Sequence, residues 1–174
     1  LRTKNGFKAP LYLKIWSKQI KAVKANSIIA KRINNINSNN ITVFNYGISD
    51  INGFDEIYLS TSHNQGHSLN VDWPERFKEV FKKREKVKIK VATLDSLFKE
   101  EIFDFIKIDI EGSETKAILG GTEFFKNNVN AIVQIEIYDW QFEATNSLLS
   151  KYYKYVYLPI VNFNQGEINI VELD

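Results

Sequence analysis

Hydrophobic residues recur along this chain in patterns that predict alternating strands and helices. Two nearly continuous apolar runs, Phe103–Ile110 and Ala131–Ile137, are typical of parallel strands buried on both faces. Helices are predicted over Ser113–Lys126 and Trp140–Tyr153, where apolar positions define an inner face. This alternation of buried strand and helix indicates an α/β fold with a doubly wound parallel sheet between two helical layers.

Shorter elements complete the predicted fold on either side of this central part. Further strands are predicted at Gln19–Lys24, Ile41–Tyr46, Phe54–Ser60, Val87–Thr93, Val156–Ile160 and Glu167–Leu173. Further helices are predicted before Gln19, after a cap at Asn26 or Ser27, over Glu75–Lys86 and over Leu94–Phe98. The last two strands close the sheet as an antiparallel edge, which gives a three-layer architecture.

Composition limits the classes of protein to consider. The 174 residues, 44% of them hydrophobic, suffice for one core, so we expect a single domain. A net charge of +2 indicates no polyanionic partner such as nucleic acid. The chain has no cysteine, which suits the cytoplasm, and no apolar run approaches the roughly 20 residues that span a membrane.

Polar residues follow the predicted strands where ligands bind in open α/β sheets, beyond the strands' carboxyl ends. The candidate ends are Lys24–Ser27, Ser49 and Asp50, Asp109–Glu114, and Glu136–Asp139. Three crowded carboxylates in Asp109–Glu114 can retain a proton, bind a divalent cation or accept hydrogen bonds from a substrate hydroxyl. Glu111 and Glu114 are equally consistent with acids that complement a helix start, whereas Asp109 precedes the helix and is harder to explain that way.

The remaining motifs argue against several functions. His63 and His67 are four residues apart in a predicted loop, whereas a metal-binding pair at this spacing normally lies on a helix, so we assign no metal ligand and expect a loop that closes over a ligand. The phosphate loop GxxxxGK[ST] and the nucleophile elbow GxSxG are both absent, which disfavours nucleotide phosphates and acyl transfer.

Four segments taken together resemble the FkbM-type methyltransferase family, in their order and spacing as well as their residues. They are NYGISDING (45–53), VATLDSLF (91–98), FDFIKIDIEGSETKAILGG (103–121) and IVQIEIY (132–138). The resemblance implies a class I, Rossmann-like fold and S-adenosylmethionine as cofactor. It also implies methyl transfer to a hydroxyl of a sugar, polysaccharide or small metabolite.

The resemblance also implies roles for individual residues. Ser49 and Asp50 correspond to positions near the adenine, and Gly66 and Ser68 correspond to positions in a loop near the site. Asp109, Glu111 and Glu136 correspond to the methyl-transfer centre, where a carboxylate such as Asp109 is expected to assist deprotonation of the acceptor and Glu111 or Glu136 to orient it. The full set expected to bind the cofactor is Gly6, Asn26, Ser49, Asp50, Gly66 and Ser68.

The chain departs from the family pattern near its amino terminus. Only Asn5 and Gly6 correspond to the glycine-rich loop D-x-GAN-x-G, so we expect the first strand and this loop to be incomplete. Lys24 replaces the acid that binds the ribose diol, and an ammonium group offers only donors. Two alternatives therefore remain: a non-catalytic binding or scaffold domain with the same fold, and a metal-assisted enzyme using the strand-end carboxylates.

Overall fold

The computed structural model describes residues 19–36, 39–60, 84–154, 156–162 and 167–173 as a mixed α/β structure. The strands within these ranges are β1 (Ile20–Val23), β2 (Ile41–Phe44), β3 (Gly47–Ile48), β4 (Gly53–Ser60), β5 (Arg84–Ala92), β6 (Phe105–Ile108), β7 (Ile132–Ile135), β8 (Val156–Asn162) and β9 (Glu167–Leu173). The helices are α1 (Ser27–Asn34), α2 (Leu94–Phe98), α3 (Glu114–Leu119), α4 (Thr122–Asn127), a 3₁₀ turn (Asp139–Gln141) and α5 (Phe142–Leu149). The α/β class predicted from the sequence is confirmed.

The strands pair as four small sheets. β1 is parallel to β2, with Ile20 opposite Ile41, and β6 is parallel to β7, with Phe105 opposite Ile132. β5 pairs in parallel with β3 and antiparallel with β4, and β8 and β9 form a separate antiparallel pair. Within the described ranges the two parallel pairs are not hydrogen-bonded to each other, so the continuous sheet expected from the sequence is not observed there.

Side-chain packing connects the two parallel pairs instead. Val23 of β1 and Phe44 of β2 pack against the buried cluster that contains Phe98 and Ile106. The Phe44 and Phe98 rings meet edge to face at 5.1 Å, a geometry that aromatic quadrupoles favour. Lys21 Nζ lies 5.9 Å from the centroids of both rings. A shared apolar core thus positions the ends of β2 and β6 in one body.

Two predicted helices are shorter in the structure. The helix expected over Ser113–Lys126 is divided into α3 and α4 at Gly120 and Gly121. A Cβ at Gly120 would lie 2.3 Å from the Ser49 carbonyl oxygen, so this close approach requires glycine. In place of the helix expected over Trp140–Tyr153, the structure has a 3₁₀ turn followed by α5, which ends at Leu149. The residues directly after Leu149 form turns.

Some predicted elements fall outside the described residues. The helix expected before Gln19 lies there, as does most of the helix expected over Glu75–Lys86. Residues 84–86 of that prediction form the start of β5, so at that end the helix prediction is wrong. The cross-strand pairing with β4 continues through these residues, which explains the extended conformation. None of the described helices is long and apolar enough to cross a bilayer.

Candidate active site

The carboxyl ends of β6 and β7 bring two acidic segments together. Ile108 pairs with Ile135 at the end of the parallel ladder, and Glu136 N donates a hydrogen bond of 3.0 Å to Ile108 O. Because parallel strands end at the same edge, the residues that follow β6 emerge beside those that follow β7. The acidic turn, defined here as Asp109–Glu114, therefore lies next to Glu136 and Tyr138.

The acidic turn has an unusual backbone conformation. Glu111 has φ 54° and Gly112 has φ 96°, so two successive residues occupy the left-handed side of conformational space. A non-glycine residue there costs on the order of 1–3 kcal/mol unless its surroundings hold it. Glu114 Oε1 accepts hydrogen bonds from Ile110 N at 3.1 Å and from Gly112 N at 3.2 Å. The backbone of the turn is therefore held by the carboxyl group of its own last residue, Glu114.

Glu111 contacts the neighbouring strand end through Tyr138. The Tyr138 hydroxyl donates a hydrogen bond of 2.6 Å to Glu111 Oε2, and the Tyr138 ring stacks on Trp140 with centroids 4.5 Å apart. Burial raises the pKa of Tyr138 well above 10, and the hydrogen bond to Glu111 and the negative charges of Glu111, Glu114 and Glu136 add to this. The phenol therefore remains a protonated donor at physiological pH.

The three predicted catalytic residues have different surroundings. Glu111 accepts a hydrogen bond from the Tyr138 hydroxyl, and the negative charge of Glu136 helps to raise the pKa of Tyr138. Asp109 Oδ2 instead lies 2.6 Å from Lys107 Nζ, in an ion pair whose side chains are about one third exposed. Glu111 is thus hydrogen-bonded to Tyr138 after the neighbouring strand, whereas Asp109 is paired with a lysine of β6.

A buried polar cluster lies beneath the acidic turn, between α3 and α5. Gln141 Nε2 donates a 2.7 Å hydrogen bond to Gly112 O, and Glu114 is fully buried. Burial raises the pKa of Glu114, although its bonds to backbone N–H groups act in the opposite direction. Buried atoms without a hydrogen-bond partner among the described residues are Ser113 Oγ, Glu114 Oε2, Gln141 Oε1, Thr145 Oγ1 and Asn146 Oδ1.

This cluster contains two residues whose roles the sequence did not settle. Glu114 was equally consistent with a functional carboxylate and with a helix-start acid, and Gln141 had no predicted role. Their only sequence signal is local: a glycine two residues before an acid, at the point where a buried strand meets a helix.

Three of the residues expected to bind the cofactor, Asn26, Ser49 and Asp50, lie within the described ranges. Ser49 is buried, and its hydroxyl donates a 3.0 Å hydrogen bond to Oδ1 of the exposed Asp50. Asn26 Oδ1 caps α1 by accepting from Ile28 N at 2.9 Å. Lys24 is exposed directly after β1.

Three of the residues expected to bind the cofactor, Gly6, Gly66 and Ser68, lie outside the described residues. His63 and His67 lie outside them as well. In the part of the chain that the structure does describe, no three His, Asp or Glu side chains are grouped closely enough to hold a metal ion.

Two open clefts lie beside α2 rather than at the acidic turn. Their volumes are about 470 and 490 Å³, and Asn52, Ser96 and Leu97 line both. Neither cleft includes Asp109, Glu111 or Glu136. The first cleft is lined by charged residues such as Asp95 and Glu101, but the carboxylates that follow β6 and β7 lie at the strand ends where ligands bind in α/β sheets.

One comparison with known proteins found a family match over most of the chain. A family model described as the methyltransferase FkbM domain matches residues 5–157, a segment that includes the acidic turn, Tyr138, Ser49 and Asp50. Neither a curated protein nor a solved structure matches the chain significantly. Because the family model covers most of the 174 residues, the chain belongs to the FkbM methyltransferase family and is an S-adenosylmethionine-dependent methyltransferase.

Proposed function

We propose that this methyltransferase acts on a hydroxyl oxygen of a carbohydrate or a small hydroxylated metabolite, as one Rossmann-like domain in the cytoplasm. The main support is the 2.6 Å hydrogen bond from Tyr138 to Glu111 at the ends of β6 and β7. A carboxylate held at a strand end suits a reaction that must remove a proton from a weakly acidic hydroxyl. Family membership supports the continuous Rossmann-like sheet.

The described residues fit part of the cofactor. The exposed Asp50 carboxylate, held by the buried Ser49, is a suitable acceptor for the amino group of adenine. Lys24 does not fit the ribose position, because an ammonium group cannot accept hydrogen bonds from a diol. The assignment of Gly6, Gly66 and Ser68 rests on the family resemblance. Asn26 belongs to the same proposal, although its side-chain oxygen also caps α1.

The residues around the acidic turn account for proton removal. When bound, S-adenosylmethionine supplies a methyl group already activated by a positively charged sulfur. Glu111 would accept the proton of the acceptor hydroxyl, which leaves the acceptor oxygen as the nucleophile for that methyl group. Tyr138 remains protonated and holds Glu111 in place. Asp109 and Glu136 orient the acceptor.

The aromatic pair beside Glu111 supports a carbohydrate acceptor. The Tyr138 and Trp140 rings are stacked in nearly parallel planes, with 10° between them, and Trp140 is 36% exposed. Aromatic rings of this kind provide a flat apolar surface with polar atoms at its border. The C–H face of a sugar ring suits that surface, and its hydroxyls suit the adjacent carboxylates.

The experiment is a transfer assay with labelled S-adenosylmethionine and a panel of sugars, polysaccharides and small hydroxylated metabolites. Glu111→Gln should lower the transfer rate at least about 100-fold, because general-base catalysis contributes about 10²–10⁴. Glu143→Gln, an exposed change on α5, is the matched control and should not alter the rate. Equal rates for Glu111→Gln and the wild-type protein would contradict the assignment.

Lys24 is the observation that favours the alternative of a non-catalytic domain. Lys24→Glu would restore an acceptor for the ribose diol, so it should strengthen cofactor binding if the pocket is functional. A protein that binds no cofactor with either residue would favour the binding or scaffold role. A chelator that abolishes transfer would instead favour the metal-assisted variant.

A further inference from the structure

The acidic turn contains one carboxyl group to which the proposed reaction gives no role. Glu114 is the first residue of α3, is 0% exposed, and accepts hydrogen bonds from the backbone on both sides of Glu111. We propose that Glu114 is the positioning residue of this site: it holds the turn in the conformation that presents the Glu111 carboxylate to Tyr138. The inference rests on the proposed role of Glu111.

The backbone of the turn needs this acceptor. Ile110 N and Gly112 N both converge on Glu114 Oε1, in hydrogen bonds that are partly or fully buried. Without an acceptor, each N–H group would lose its partner and its desolvation would be left uncompensated. These bonds would then no longer offset the strain of the left-handed Glu111, so the turn would no longer be held in its present conformation.

The conformation of the turn decides where the Glu111 side chain points. Glu111 lies between the two anchored N–H groups, and Gln141 Nε2 fixes the next carbonyl, Gly112 O, at 2.7 Å. A change of φ from 54° to the ordinary negative range would redirect the Cβ and carry the carboxylate away from Tyr138. A displacement of about 1 Å at a catalytic group is enough to cost about 100-fold in rate.

The two backbone N–H groups need an acceptor oxygen, which an uncharged side chain can also supply. Its second oxygen, Oε2, is buried and has no hydrogen-bond partner among the described residues. Burial also raises the pKa of this carboxyl, which favours the neutral form. The amide of glutamine carries the same acceptor oxygen at the same distance from the backbone. Glutamine should therefore replace Glu114, whereas alanine should not.

The test follows the turn and the reaction separately. The full chain is labelled with 5-fluorotryptophan, and the fluorine NMR signal of Trp140 is identified by its loss in Trp140→Phe. This signal reports the Tyr138–Trp140 stack, which the hydrogen bond to Glu111 anchors. The transfer rate and the KM for S-adenosylmethionine are measured for Glu114→Ala, Glu114→Gln and the control Glu143→Gln.

We expect Glu114→Ala to shift the Trp140 signal and lower kcat about 100-fold, with the KM for S-adenosylmethionine changed less than about threefold. Glu114→Gln should keep the wild-type signal and a kcat within about twofold. If Glu114→Ala does not fold, Glu114→Asp takes its place, because its shorter side chain cannot reach both N–H groups. The proposal is overturned if the Ala or Asp variant keeps the signal and the rate, or if Gln loses as much as they do.

The outcome for the proposed function is distinguishable from the outcome for Glu114. A wild-type protein that methylates no acceptor would contradict the proposed function. The Trp140 signal would still show whether Glu114 sets the conformation of the turn, since it requires no turnover. An unshifted signal in the Ala or Asp variant would contradict the positioning role in that case.

Discussion

The Tyr138 hydroxyl lies 2.6 Å from Glu111 Oε2, so one short hydrogen bond joins the residues that follow two neighbouring parallel strands. Glu111 occupies a left-handed backbone conformation at its end of this bond, and Tyr138 stacks on Trp140 at the other. Hydrogen bonds to charged groups are among the stronger ones in proteins. This pair therefore links the strained turn after β6 to the aromatic surface after β7.

Tyr138→Phe should lower kcat about 10- to 100-fold, because it removes a hydrogen bond to a charged group worth about 1.5–3 kcal/mol while preserving the ring. The KM for S-adenosylmethionine should change little. Tyr153→Phe is the control, since the Tyr153 hydroxyl donates to the Asn128 carbonyl at 3.1 Å, within the core next to Phe125. Steady-state kinetics on both variants checks this, and equal kcat values for the two would contradict it.

Glu111→Gly should remove most of the activity and change the stability only slightly. Glycine relieves the strain at φ 54° but removes the hydrogen bond from Tyr138, so the free energy of unfolding should change by less than about 1 kcal/mol. Methyl transfer should fall at least about 100-fold, because the proton acceptor is lost. Urea denaturation and the transfer assay measure the two quantities. A loss of several kcal/mol would show that Glu111 is primarily structural.

The buried Glu114 should make stability depend on pH. Burial raises its pKa above 4.5, so the folded protein retains a proton that the unfolded chain releases. This contribution is fully present below the unfolded pKa and is lost as pH rises through the folded one. The free energy of unfolding of Glu114→Gln, relative to wild type, should therefore increase as the pH rises above the unfolded value of 4.5. Urea denaturation across this range checks the sign, and a decrease would contradict it.

Asp95→Ala should lower the stability of the fold without changing the activity. Its Oδ1 accepts from Phe124 N at 2.7 Å, and its Oδ2 accepts from Glu123 N and the Thr122 hydroxyl, both at 3.2 Å. Asp95→Ala leaves the start of α4 without this cap and should cost about 1–2 kcal/mol of unfolding free energy. Asp95→Asn keeps one acceptor oxygen and should lose less. The transfer rate per folded molecule should be unchanged, which thermal denaturation and the transfer assay together establish.

The local pattern of the sequence predicted elements whose bounds depend on their own residues. α2 and β9 have the predicted bounds, Leu94–Phe98 and Glu167–Leu173. β6 and β7 are shorter than the apolar runs that predicted them, since side chains such as Ile110 continue to pack against the core after the ladder ends. The break at Gly120 was not predictable, because it depends on the distant Ser49 backbone.

The candidate site was predictable to the level of strand ends but not of individual contacts. The order of the strands places Glu111 and Glu136 at one edge, because parallel neighbours end together. The direction of each side chain depends on the backbone of the turn, and a left-handed Glu111 has no signature in the sequence. The sequence therefore did not indicate that Lys107 pairs with Asp109 or that Glu114 turns inward.

Calorimetric titration with S-adenosylhomocysteine tests the account most directly, because this product reports the cofactor pocket without turnover. We expect the protein to bind it, and Asp50→Ala to weaken binding at least about tenfold, equivalent to about 1.4 kcal/mol. Lys24→Glu should strengthen binding, since it adds an acceptor for the ribose diol. Absence of binding by wild-type protein shown to be folded by circular dichroism, with no gain in Lys24→Glu, would contradict a working methyltransferase site.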